Sequence, residues 1–158
     1  MDDRAEKLSV RYAIEIEAGP EAIWPFIATA EGLLAWFRGA ELVELEPHVG
    51  GAYLEKGEHG GFAYHLVGEV TVYDPPHRIA FTLRLIRQDG SQWPADTLLT
   101  LTLEPAGNTT HVRLDHTGFE TLGDDLAARA HQGFLGGWDG SLELLRQLVD
   151  DQTTSSQP

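Results

Sequence analysis

Histidines are the side chains best equipped for chemistry in this sequence, seven of them, at 48, 59, 65, 77, 111, 116 and 131. Imidazole is a common metal ligand and carries protons near neutral pH. Their spacing builds no local metal motif: there is no HxxxH or HxH, and "EHGG" at 58–61 reads as a turn. A metal would have to be held by residues distant in sequence, and none is expected. The absence of cysteine excludes disulfides and thiolate chemistry. There is no GxSxG elbow, no phosphate loop and no dinucleotide fingerprint, since "GGWDG" follows no strand. Asp124–Asp125 suit the positive start of a helix, whereas Asp150–Asp151 fall at a helix end and are solvated. No cofactor is expected, and the question becomes where single histidines and aromatics are placed.

Placement depends on the elements. "VRYAIEIEA" alternates, with Val10, Tyr12, Ile14 and Ile16 on one face of a half-buried strand. "GPEAIWPFIATAEGLLAWF" predicts two short helices, near 20–28 and 30–36; Pro20 suits a first helical position, but Pro25 removes a hydrogen bond and clashes one turn back. Six strand-like runs follow: "AELVELE", "GAYLEKGE", "FAYHLVGEVTVYD", "HRIAFTLRLIR", "DTLLTLTLEP" and "THVRLDHTGF". The turn signals between them favour antiparallel hairpins. "RQDGSQWPAD" is a longer, mobile-loop candidate, with Trp93 exposed or lid-like. A long helix over about 123–151 closes the chain. It is the element able to cover the apolar face of a curved sheet. Residues 1–9 read as an N-terminal extension, 10–151 as a single domain and 152–158 as a flexible tail.

Alternation and helical periodicity then orient the side chains. Tyr64, Leu66, Gly68, Val70 and Val72 share an inward face, with Gly68 leaving room. Ile79, Phe81, Leu83 and Leu85 form a second inward set and Leu99, Leu101 and Leu103 a third. Val112, Leu114 and His116 form the last. On the final helix Ala127, His131, Phe134, Trp138, Leu142, Leu145 and Val149 make one stripe. His116 and His131 thus stand on apolar faces, either as polar anchors in a greasy site or as core histidines satisfied by a hydroxyl or carbonyl. Gly133, Gly136, Gly137 and Gly140 run along a flank of the same helix. They mark either a close approach by a neighbouring element or a local break.

Acidic residues outnumber basic ones 25 to 11, a formal charge of −14, and the arginines are scattered. Such a surface favours solubility and repels nucleic acid and anionic membranes. No run is long and apolar enough to span a bilayer and the start lacks signal-peptide character, so a cytoplasmic location is expected.

The segments "EAIWPFIATAEGLLAWF", "VGGAY", "GEVTVYDPPHRIAFT", "LTLTLE" with "THVRLDHTGF", and "GWDGSLELL", in this order from about 21 to 145, resemble the helix-grip fold of the START and birch-pollen-allergen (SRPBCC) superfamily. More narrowly they resemble its branch related to the activator of the heat-shock-protein-90 ATPase. The resemblance implies an α+β fold, with a curved antiparallel sheet of about seven strands around a long C-terminal helix. It also implies a cavity between them for a small molecule or a partner. The eukaryotic activator carries a further N-terminal domain that engages the chaperone, for which this length leaves no room, so chaperone activation is not expected.

The expected function is binding of a small, apolar or amphipathic ligand. Its cavity would be lined by Tyr64, Phe81, Leu83, Leu101, His116, His131, Phe134 and Trp138, with Trp36 near the mouth. Burial of apolar surface, about 25 cal/mol per Å², would drive binding and a histidine would fix orientation. Two alternatives stand beside it. One is an enzyme resembling the polyketide cyclases of the superfamily, with His116 or His131 as general acid–base. The other is a protein-interaction module whose space is filled by its own side chains.

Overall fold

The computed structural model describes residues 8–59 and 61–155, and their side chains except at 59, 62, 133–137, 139 and 153–155. The chain opens with β1 (Val10–Ile16), then two short helices, α1 (Pro20–Ile27) and α2 (Ala30–Trp36). The strands β2 (Ala40–Leu45), β3 (Ala52–His59), β4 (Phe62–Asp74), β5 (Arg78–Ile86), β6 (Thr97–Ala106) and β7 (Thr109–Thr117) follow. A 3₁₀ turn at Phe119–Leu122 leads into α3 (Asp124–Ser155). The strands form one antiparallel sheet in the order β1-β7-β6-β5-β4-β3-β2. It curls into a half-barrel, and the helix-grip architecture is the one expected. Every strand from β2 onward pairs with its sequence neighbour. That follows from the short turns, which allow hairpins and leave no length for crossovers.

Pro25 stays inside α1, although it cannot donate to the carbonyl one turn back. The helix ends two residues later, and Thr29 makes the joint. Its hydroxyl donates to the Pro25 carbonyl (2.7 Å) and accepts from the Gly32 N–H (2.9 Å), capping α2. Gly32 is where close approach matters: a Cβ there would run into the Pro25 carbonyl and the Phe26 backbone. The two short helices therefore pack backbone to backbone.

Strand alternation predicts the core well. Val112, Leu114 and His116 are buried, as are Leu99, Leu101 and Leu103, and Ile79, Phe81 and Leu83. The exceptions have local causes. A register shift between Val70 and Val72 lets β4 gain one residue on β5, so Tyr73, not Val72, pairs with buried Ile79 and packs its ring on Trp24. At Gly68 a side chain would collide with the Thr82 carbonyl, so this glycine permits backbone approach and does not open space. Trp93 is 3% exposed rather than lid-like. Its backbone N–H donates to the Leu85 carbonyl (2.9 Å), and an Ile86–Gln92 bridge folds the loop back on β5.

The helix α3 lies on β1, the 3₁₀ turn, α1 and α2. Ala127, Trp138, Leu142, Leu145 and Val149 are buried on the expected stripe, and His131 is half-buried. The helix is unbroken through the glycines and continues to Ser155, so residues 152–155 extend it where a flexible tail is expected. The surroundings of Gly133, Gly136 and Gly137 lie outside the described side chains. At Gly140 the neighbour is the Arg38 guanidinium, which occupies the place of a Cβ. Beside it the Arg38 backbone N–H reaches the Ser141 hydroxyl at 3.5 Å.

Candidate functional site

Two buried centres built on an ionisable side chain, His116 and Glu55, lie on the inner face of the sheet. The first surrounds His116 on β7, which is fully buried. The Trp138 indole N–H from α3 donates to its Nδ1 at 3.1 Å, and its Nε2 lies 2.8 Å from the Thr97 hydroxyl on β6. Thr97 in turn reaches the Leu83 carbonyl at 3.2 Å. The directions are fixed by chemistry. The indole can only donate, so Nδ1 accepts; a neutral ring then carries its hydrogen on Nε2 and donates to Thr97, whose own hydrogen goes to Leu83. A second proton on Nδ1 would face the indole hydrogen. Burial, reinforced by nearby His131, lowers the His116 pKa from 6.5 to about 3. The Phe119 ring sits 4.5 Å from the imidazole, between centroids, and the Trp138 ring 6.1 Å from it.

His131 belongs to the edge of this centre. Its Nε2 lies 3.3 Å from the Ser9 carbonyl, and its ring is nearly perpendicular to that of Phe119, 5.7 Å between centroids. Trp36, expected near a mouth, is fully buried; its indole N–H donates to the Phe26 carbonyl at 2.8 Å. Phe37, next in sequence, bridges Trp36 (4.7 Å) and Trp138 (5.1 Å) in edge-to-face contacts. Leu83 and Leu101 have no exposure. Around His116 the described side chains of sheet and helix are packed against one another with little or no exposure. The side chain of Phe134 lies outside the described residues.

The second centre is on β3 and β4, and its key residue is one that sequence reasoning passes over. Glu55 is 6% exposed. One carboxylate oxygen accepts the Tyr53 hydroxyl and the other the Tyr64 hydroxyl, each at 2.6 Å. Tyr53 and Glu55 are two apart on β3 and share a face. Tyr64 stands opposite Gly57 in register and reaches diagonally to Glu55. Gly57 permits this, since a Cβ there would meet the Tyr64 hydroxyl and the Gly39 carbonyl. The Tyr53 ring stacks on Phe81 at 4.2 Å, joining the centre to the floor of the core.

Burial raises the Glu55 pKa from 4.5, and the two phenol hydrogen bonds offset only part of that. Both tyrosines are pushed up as well, by burial first and then by the Glu55 charge. No ion pair to Glu55 forms among the described residues. Next to this centre the inner face is not fully covered: Tyr64 and Leu85 are half-buried, while Leu66, opposite Leu85, is closed. Of the residues expected to line one site, Tyr64 bonds Glu55 here and Phe81 stacks on Tyr53, Leu83, His116 and Trp138 belong to the first centre, and Leu101 is buried opposite Ile79 and Leu114. The legible signal for Glu55 was its position two residues from Tyr53 on a strand with one inward face.

The described side chains hold no group of three or more histidine and acidic residues able to bind a metal, and none of the described helices is long and apolar enough to cross a membrane. A curled antiparallel sheet gripping a C-terminal helix defines a member of the SRPBCC class. Within it, the model of the family "Activator of Hsp90 ATPase homolog 1-like protein" matches residues 17–150, and the chain belongs to that family. A solved structure of the Mesorhizobium loti protein MLL2253 is similar at 25% identity and a TM-score of 0.69, over 90% of this chain and 97% of that one. The AHSA1 protein SPO3351 of Silicibacter pomeroyi is similar at 25% identity and a TM-score of 0.69, over 91% and 99%. NE0264 of Nitrosomonas europaea, 14% identical over 94% and 97%, shares the fold with a TM-score of 0.73. No curated protein matches the chain by sequence.

Proposed function

We propose that residues 10–151 act as one binding unit for a small, largely apolar molecule, seated on the inner face of β3–β5 beside Tyr64 and Leu85. The observation that carries this reading is the uneven closure of that face: sealed around His116, half-covered at Tyr64 and Leu85. Apolar side chains left half-covered on an inward face are surface that a ligand can bury, at about 25 cal/mol per Å². A polar group at one end of such a surface sets orientation. Here that group is Glu55 with its two phenols, and His116 is a structural residue.

A general acid–base role for His116 fits the geometry poorly. Both ring nitrogens are engaged inside the core, and its pKa of about 3 is far from the neutral range in which such catalysis works best. Calorimetric titration with 1-decanol tests the binding reading. Saturable one-to-one binding with a negative heat-capacity change is expected, and Leu85→Glu should weaken it by about tenfold or more, the cost of placing a charge in an apolar contact. Absence of saturable binding, or unchanged affinity in a folded Leu85→Glu protein, would refute it.

A further inference from the structure

Glu55 is a buried carboxylate whose described partners are two neutral hydroxyls. Burying a carboxylate is unfavourable unless a cation or a full set of donors surrounds it. Two hydroxyls fill two of its roughly four acceptor positions. The cations nearby in sequence point elsewhere. Lys56 follows it on the strand, faces the opposite side and is exposed, and the Arg38 guanidinium lies against Gly140 of α3. Glu41 adds negative potential at Tyr64. The whole molecule, at −14, draws cations toward its surface. The walls are aromatic: Tyr53 stacked on Phe81, and the half-buried Tyr64 ring. Aromatic faces also attract cations.

We infer that Glu55, with Tyr53 and Tyr64, recognises a protonated amine borne on an apolar body, the amine donating to the carboxylate while the body covers Tyr64 and Leu85. The inference rests on the binding reading above and adds the ligand's charge to it. A bound ammonium supplies the counter-charge and the donors that the described residues do not. An alcohol supplies one donor and no charge, and a carboxylic acid in its ionised form is repelled.

The test compares ligands of one chain length on the wild-type protein: decylammonium, 1-decanol and decanoate, by calorimetry at 0.15 M salt. Decylammonium should bind at least about tenfold more tightly than 1-decanol, a difference typical of a charge-assisted hydrogen bond, and decanoate more weakly than either. Glu55→Gln should remove the amine preference, so that decylammonium and 1-decanol bind the variant equally well. Nuclear Overhauser contacts on the wild-type protein, from the methylene beside the ammonium to the Tyr53 and Tyr64 rings, provide a reading that needs no variant. Equal affinity for amine and alcohol would overturn the inference and leave the binding reading intact. An amine preference that persists in folded Glu55→Gln, or contacts only to other residues, would assign it to the acidic surface and overturn the inference. Failure of all three ligands to bind would remove the binding reading and this inference with it.

Discussion

At the β7 end of the sheet the buried polar side chain is an imidazole, and at the β3 end a carboxylate. His116 has an indole donor on one nitrogen and a hydroxyl on the other, and the hydroxyl passes its own hydrogen to a main-chain carbonyl. That chain of bonds satisfies a neutral ring and opposes a charged one. Glu55 has two donors and no counter-ion among the described residues. The difference separates a buried polar group that completes a core from one that leaves recognition capacity unused. A fully connected polar network rigidifies what it sits in, whereas an incompletely compensated charge is a cost that binding can relieve.

Truncation at the sealed end should have the largest effect. His116→Ala leaves the Trp138 N–H and the Thr97 hydroxyl without their buried partner and opens a cavity, and should cost about 3–5 kcal/mol in urea denaturation. A loss below about 1 kcal/mol would show that the core relaxes around His116, and the contrast between the two ends would fail.

The two centres should also answer pH with opposite signs. The folded pKa of His116, about 3, lies below its unfolded value of 6.5. As pH falls below 6.5 the unfolded chain takes up a proton that the folded chain refuses, so stability drops by about 1.4 kcal/mol per pH unit from this group. Glu55 is raised above 4.5 when folded, so its contribution is fully present below 4.5 and is lost as pH rises through its folded pKa. Because other carboxylates titrate too, the reading is a difference. Between pH 6 and pH 4 the wild-type slope should exceed that of His116→Gln, whose amide can both accept from Trp138 and donate to Thr97. Parallel slopes would mean that His116 protonates in place.

The smallest effect concerns the other end. Glu55→Gln removes a buried charge while keeping partners for both phenols, and should stabilise the fold by about 1 kcal/mol at pH 8, less at pH 5. The midpoint of urea unfolding at the two pH values decides. A loss of stability at pH 8 would make the carboxylate a structural element like His116, and the two ends would no longer differ in kind.

Most of the fold was readable because each strand has one buried face and short turns. Val112, Leu114 and His116 point inward by alternation alone, and their burial agrees. The misplacements came from backbone irregularity. One extra residue in β4 exchanged Val72 for Tyr73, and the bridge at Gln92 drew Trp93 under cover. Alternation also puts Glu55 on the face of Tyr53, but an acid in "GAYLEKGE" reads as solvent-facing unless its partners are known.

The sequence by itself determined the order of elements, most of the inner and outer faces, the stripe of the final helix and the acidic charge balance, because these depend on local periodicity and summed charge. Only the tertiary structure decided which polar groups meet. Trp138 lies 22 residues from the His116 nitrogen it bonds, and Tyr64 lies nine from Glu55 across a hairpin whose register sets the diagonal. It decided as well that Trp36 is fully buried, packed against Phe37 and bonded to the Phe26 carbonyl, and not at a rim. Hydrogen bonds of about 3 Å require positions fixed by packing from several elements at once, and periodicity along one segment carries no such distances.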